Sequence, residues 1–470
     1  MKFIFSTHTR FAAVLLAVLF YGIAGQAQNA PSTYSRFGIG KLYPTGSMTH
    51  FGMGGLSTPI IDGSLINLSN PATYSSCGIT TLQINALGSA LQTSTETESM
   101  KYNSGQIHEM AMLFKKPGSK WAFAAGLTPY STMSYKLNHS GTTNDSLKTN
   151  YIYNGTGGLN KLTIGTSRQF TFYKTVIRQD SLNRKDTTVR VPLHQLSVGL
   201  NANFIFGSLV SENQVEFSSA SYYNTKEISK LMNKGWMLEG GLLYRTRLDR
   251  KEENGKVIGE SHLFVGLDYQ VNAGKLKSTY KEENSRYIYS NGVALAAGTT
   301  YSPDEIQGKM TLPEYMAIGA AFRKSHKKWG RYTVGVDFKM QDWSQFSLDI
   351  PGTNFLFGDY MATAQTVALG AEYEPSLATN YDLLHRMSYR AGIRNTQTHL
   401  KVNGTQIAQQ AVSVGISIPV VRSMSRFHIG AEYMTSGTHD NELIMEKGFN
   451  FMVGFTLTPS ERWFFQRKYD

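Results

Sequence analysis

Along most of this 470-residue chain, apolar residues alternate with polar or small ones in runs of about ten, and a turn breaks each run. The clearest example is Leu196 to Gly207. Leu196, Val198, Leu200, Ala202, Phe204 and Phe206 share one face, while Ser197, Gly199, Asn201 and Asn203 share the other. Side chains of a strand switch faces at every residue, so such a run has one apolar and one polar surface. A sandwich would bury the apolar surface, whereas a sheet closed into a barrel within a bilayer would turn it to lipid.

The pattern recurs about fourteen times and predicts strands at 79–93, 105–115, 120–137, 158–170, 193–207, 235–247, 260–270, 312–323, 331–342, 363–374, 386–395, 411–420, 425–434 and 448–458. Short turns join some neighbours: Pro117-Gly118-Ser119-Lys120, His326-Lys327-Lys328 and Val421-Arg422-Ser423. Long polar connections, 139–155, 171–190, 208–234 and 271–311, join others, and 248–259 and 396–410 are intermediate. Short turns at one end and long loops at the other are expected of an outer-membrane barrel. The expected fold class is therefore all-β, a transmembrane antiparallel β-barrel of about fourteen strands.

A glycine falls on the polar face of most of these strands: Gly126, Gly165, Gly199, Gly241, Gly266, Gly319, Gly335, Gly370, Gly392, Gly415, Gly430 and Gly454. Glycine weakens a strand and needs a reason. The expectation is that inward glycines let a curved wall bend and leave space inside. Charges share that parity at Glu239, Arg245, Asp268, Arg323, Asp337, Arg390, Arg394 and Glu432. Facing lipid, each would cost about 2–4 kcal/mol near midplane. They are therefore expected in the lumen, as a ladder of salt bridges.

Before the strands, residues 28–78 are rich in Gly, Ser, Pro and Asn and do not alternate. Their apolar residues, among them Phe37, Ile39, Phe51, Leu56 and Ile66, argue for burial, which suits a segment folded inside the barrel. Residues 1–27 read as a secretory signal peptide, with Lys2 and Arg10 ahead of an apolar run and Gly25-Gln26-Ala27 at the cut. Export by the Sec route follows. No apolar run of about eighteen residues remains after the leader, which excludes a helical membrane protein.

Composition narrows the partners. Losing Lys2 and Arg10 takes the net charge from +12 to +10 (12 − 2), a basic surface suited to outer-membrane lipid headgroups. Exported proteins seldom meet nucleic acid, and no such partner is expected. Tyr and Phe are abundant, 26 and 25 residues, which fits aromatic girdles at the two membrane interfaces. The single cysteine, Cys77, rules out an internal disulfide and reads as a small buried residue. No Ser, His and acid stand at supporting spacing, and no His/Asp/Glu set has metal-ligand spacing. Neither enzymatic activity nor a cofactor is expected.

On particular strings the chain resembles the FadL-type family of outer-membrane transporters for long-chain fatty acids and aromatic hydrocarbons. The strings are Gly52-Met53-Gly54-Gly55 followed by Asn67-Leu68-Ser69-Asn70-Pro71-Ala72, then Gly155-Thr156-Gly157-Gly158-Leu159-Asn160, Asn203-Phe204-Ile205-Phe206-Gly207 and Asp342-Trp343-Ser344. The resemblance implies a fourteen-stranded barrel (residues 79–458) closed by an N-terminal hatch, with Asn70, Pro71 and Ala72 at the junction of hatch and wall. Asn-Pro also favours a simple turn there. The resemblance further implies sideways release of apolar cargo through a kink in the third strand. Gly126 and Pro129 would border that portal, since proline cannot donate to a sheet ladder; a bulge near the strand's end is the other reading.

The chain departs from the usual terminal aromatic residue by running on through a basic, aromatic tail, 459–470. Two functions stay open. One is passive uptake of small hydrophobic molecules with lateral release. The other is a non-transporting barrel that partners secretion or outer-membrane assembly machinery.

Overall fold

The computed structural model describes residues 32–458, apart from 44–45, 143–146, 180–185, 220, 254–255, 291–292, 352–359, 377–381 and 421–423. The leader, the tail and the turn Val421-Arg422-Ser423 lie outside the described residues.

Fourteen strands close into one antiparallel ring. They are β1 (Thr81–Ser94), β2 (Ser99–Phe114), β3 (Trp121–Thr132), β4 (Lys148–Gln179), β5 (Asp186–Phe217), β6 (Asn224–Glu253), β7 (Lys256–Asn272), β8 (Tyr315–His326), β9 (Gly330–Asp342), β10 (Thr363–Glu374), β11 (Ser388–Val402), β12 (Thr405–Pro419), β13 (Arg426–Ser436) and β14 (Met445–Leu457). Each predicted strand has its counterpart here. Pairing of β1 with β14, from Leu82 opposite Leu457 to Ser94 opposite Met445, shuts the ring and removes the free sheet edges.

Alternation becomes geometry in this ring. Leu200 is 63% exposed while its neighbour Asn201 is 2% exposed. Outward positions on other strands repeat the pattern, with Ile164, Leu242, Val334, Val367, Ile393, Val414 and Phe451 all exposed. The apolar faces therefore look out, and among the described residues no second sheet covers them.

Two connections depart from expectation. Residues 171–190 and 248–259 sit at the end where short turns join β2 to β3 and β8 to β9. They are not open loops there, because β4 and β5 stay paired to Gln179 opposite Asp186, and β6 and β7 to Glu253 opposite Lys256. Polar sequence disguised them: strands projecting past an apolar band need no apolar face. At the opposite end, the mouth, β4, β5 and β6 run on beyond the ring as a raised rim. Tyr135–Thr142 pairs with β4 there, and Leu276–Ser290 with β6.

Candidate functional site

The N-terminal segment lies against the inward face of the ring, and the glycines mark its track. A Cβ on Gly392 would stand 2.1 Å from the carbonyl carbon of Met53, one on Gly199 would stand 2.3 Å from that of Pro71, and one on Gly266 would stand 2.4 Å from the Thr58 oxygen. These inward glycines therefore do not leave empty space. They let a second backbone approach the wall more closely than any side chain would allow.

Polar groups then lock the segment in register. Asp337 accepts hydrogen bonds from the amides of Ser57 (2.7 Å) and Thr58 (2.9 Å). Lys339 donates to the Gly55 carbonyl (2.8 Å) and to Ser57 Oγ (2.9 Å), and Arg323 donates to the Ile61 carbonyl (2.7 Å). Asn70 caps a short 3-10 helix, Pro71–Ser76, by accepting from the Ala72 amide (3.0 Å). Its Nδ2 donates to the Thr58 carbonyl (2.9 Å) and reaches the Leu242 carbonyl of β6 (3.3 Å). Asn70, Pro71 and Ala72 thus touch β6 and the glycines at 199 and 241.

The lumen charges divide their work. Arg390 pairs with Glu372 at 2.7 Å and Arg394 with Glu432 at 2.9 Å. Glu239 accepts from Asn201 (3.2 Å) and Asn203 (2.6 Å), and Asp268 lies beside it. Arg245 meets His262 at 2.9 Å. Asp337 and Arg323 hold the N-terminal segment, so this set is only partly a ladder of wall-to-wall pairs. The strand parity that picked out these eight also covers Lys161, Lys339 and Glu372, each an even number of residues from an inward glycine.

Among the described residues, the ladder at the seam between β2 and β3 is the shortest in the ring. Their pairing runs only from Phe114 opposite Phe123 to Met110 opposite Leu127. The next residues of β2, Glu109 and then Ile107 and beyond, pair with β1 alone, and His108 is an extra, unpaired residue in that ladder between them. Such a bulge bends a strand away from its neighbour. On the other bank, Pro129 lies beyond the last pair with β2, and Tyr130 is skipped in the ladder with β4. Lys41 and Leu42 of the N-terminal segment take the vacated edge, opposite Thr132 and Ser131, and the Tyr43 amide donates to the Tyr130 carbonyl (3.1 Å). Gly126 stays paired within the wall and receives the Leu68 side chain.

Behind the seam is a chamber of about 220 Å³. Both banks line it, through His108 and Glu109 on β2 and Thr128, Pro129 and Tyr130 on β3. Leu68 and Ser69 contribute from the N-terminal segment, and Lys161, Glu239, Asp268, Lys339 and Arg394 from the rest of the wall. Above it the mouth is sealed. Ile39, Leu159, Ile205, Leu209, Leu231, Met237, Leu276, Met310, Leu312 and Trp343 pack into one cluster with no exposed surface. The lumen on that side is thus filled by the protein's own side chains. Among the described residues no three His, Cys, Asp or Glu side chains are grouped to hold a metal ion.

The fourteen-stranded wall is similar in fold to solved FadL-type outer-membrane transporters. The Pseudomonas putida toluene transporter TodX superposes with a TM-score of 0.50 at 14% identity, covering 88% of this chain and 98% of that one. A Pseudomonas aeruginosa FadL homologue gives 0.49 at 13% identity (89% and 99% covered), and the CymD monoaromatic hydrocarbon channel 0.47 at 13% (91% and 100%). At such identities the likeness is one of fold. A comparison with curated proteins finds no match. The chain belongs to the BamG family, whose model matches residues 9–176 and 182–470.

Proposed function

We propose that this protein is an outer-membrane channel for passive uptake of small hydrophobic molecules, releasing them sideways through the β2–β3 seam. In this reading residues 1–27 direct Sec export, 28–78 form a hatch and 79–458 form the membrane-spanning barrel, with 459–470 as a basic tail. The carrying observation is the seam itself, where the wall ladder stops at Met110 and Leu127 with a chamber directly behind it. An open sheet edge is not tolerated against lipid unless something fills or wets it, so a permanent break at bilayer depth calls for a use. The fold shared with TodX supports the same reading.

The test is uptake of a labelled medium-chain fatty acid and of toluene by cells carrying either the native protein or Pro129→Val. A pairing residue at 129 extends the β2–β3 ladder, and uptake is expected to fall several-fold while heat-modifiable barrel migration persists. Equal uptake by both proteins rejects the portal.

The sealed mouth favours a second reading, a barrel that serves as a structural partner in outer-membrane secretion or assembly. A dry apolar cap needs no opening for that role. Gentle extraction from intact outer membrane separates the two: a transporter comes out alone with bound apolar ligand, whereas a partner comes out stoichiometrically with larger machinery.

A further inference from the structure

The chamber is unlike a hydrocarbon site. Its turn-end wall carries Glu109, Glu239, Asp268 and Lys161, all buried. Lys161 is 6% exposed and makes no hydrogen bond or direct ion pair among the described residues, although its charge acts on Glu109 and Asp268. Asp268 Oδ1 and Ser69 Oγ are also buried without a hydrogen-bond partner. Native interiors rarely leave such groups unmet, because each costs about 1–3 kcal/mol. Of the other charges facing the chamber, Arg394 is engaged by Glu432, Lys339 by the N-terminal segment, and Glu446 by Ser32 and Thr33, while Lys41 acts on Glu446 rather than on the carboxylates beside Lys161. One free cation beside a group of carboxylates, in a space holding on the order of seven waters, therefore awaits a polar occupant.

A toluene-like molecule would leave Lys161, Asp268 Oδ1 and Ser69 Oγ desolvated and unpaired. A simple fatty carboxylate would satisfy Lys161 but press against Glu109 and the Glu239–Asp268 pair. A head carrying both charges answers both sets. We propose that the chamber binds the zwitterionic head of a single-chain amphiphile. Its ammonium lies against Glu109, Glu239 and Asp268, its anionic group lies against Lys161 and Ser69, and its tail leaves through the β2–β3 seam. This rests on the reading of that seam as a lateral opening. The tail then lies between the apolar banks and the bilayer, and no part of it need cross the sealed mouth.

Binding to the full-length protein in maltoside micelles, read by native mass spectrometry and competition, tests this with four probes of matched chain length. They are lysophosphatidylethanolamine (both charges), lysophosphatidylglycerol (anion only), an alkylamine (cation only) and a fatty acid. The zwitterionic probe is expected to bind about tenfold tighter than either single-charge probe, the worth of one charge-assisted contact. Lys161→Met should erase its advantage over the alkylamine, and Asp268→Asn its advantage over lysophosphatidylglycerol. Lys161→Gln, which keeps a polar tip, repeats the first arm if the methionine variant does not fold. Equal affinity for all four probes, tightest binding of the fatty acid, or unchanged preferences in the folded variants overturns the assignment. Head-selective binding without uptake would instead refute the transport reading alone, and uptake without head selectivity would refute this assignment alone.

Discussion

On the turn-end side of the chamber the N-terminal segment meets the wall through hydrogen bonds and charges, whereas on the mouth side the lumen is closed mainly by a packed cluster of apolar side chains. Asp337, Lys339, Arg323 and Asn70 bind backbone groups there, each a directional contact that water could replace. Leu276 and Met310 have no such substitute, since water gains nothing by entering an apolar cluster. The two closures should therefore fail differently. The polar one can be released by removing a partner or changing a charge, while the apolar one resists until its packing is destroyed.

The largest effect is expected at the mouth. Trp343 is fully buried, stacks on Phe346 at 5.8 Å and packs against His399 at 4.8 Å between ring centroids. Trp343→Ala leaves a cavity that neighbours drawn from several strands cannot jointly fill, and should cost about 3–5 kcal/mol. Guanidinium unfolding in micelles measures it. A loss under about 1 kcal/mol would mean that the mouth is loosely packed and the contrast with the turn end is false.

At the turn end, Asp337→Ala should cost less, about 2–3 kcal/mol, and that loss should be local. The amides of Ser57 and Thr58 lose their acceptor, and Lys339 keeps only the Gly55 carbonyl and Ser57 Oγ. Hydrogen exchange should accelerate at residues 54–60 and stay unchanged in β4 and β5. Uniform acceleration over the whole ring would show that the N-terminal segment is no separate unit of stability.

These contrasts were unequally legible in the chain. Parity alone put Gly392 and Asp337 on the inner face, because a period of two leaves no other choice once the ring is assumed. It did not say that the glycines receive a second backbone, since the segment that approaches them is over a hundred residues away in sequence and carries no periodicity of its own. Pro129 flagged the seam, but the bulge at His108 on the facing strand is invisible without the β1 register that exposes it. The mouth cluster was the least legible. It gathers Ile39, Tyr280, Met310 and Trp343 from segments that read separately as loop, and only their three-dimensional meeting makes them a core. The long ribbon of β4 and β5 was missed for a related reason: beyond the apolar band, residues such as Lys174 and Arg190 answer to water on both faces, so the strand signal fades while the strand continues.

The smallest effect sharpens the comparison through pH. His50 sits in a one-turn helix, Met48–Phe51, where its Nδ1 accepts from the Ser47 amide at 3.0 Å. Burial, with the Lys339 and Arg390 charges adding to it, holds the imidazole far below its ordinary value, at about 3. Released from the wall, His50 would titrate near 6.5, so the docked segment binds fewer protons than the free one anywhere between those values. Docking is therefore strongest above pH 6.5 and weakens by about 1.4 kcal/mol for each unit the pH falls below it. Hydrogen exchange over residues 48–55 should quicken roughly fivefold between pH 6.5 and 5.5 after correction for the intrinsic rate. His50→Asn, which retains an acceptor for Ser47, should flatten that response. An identical acid response in the variant would assign the proton to another group and remove the histidine from the account of how the polar closure differs from the apolar one.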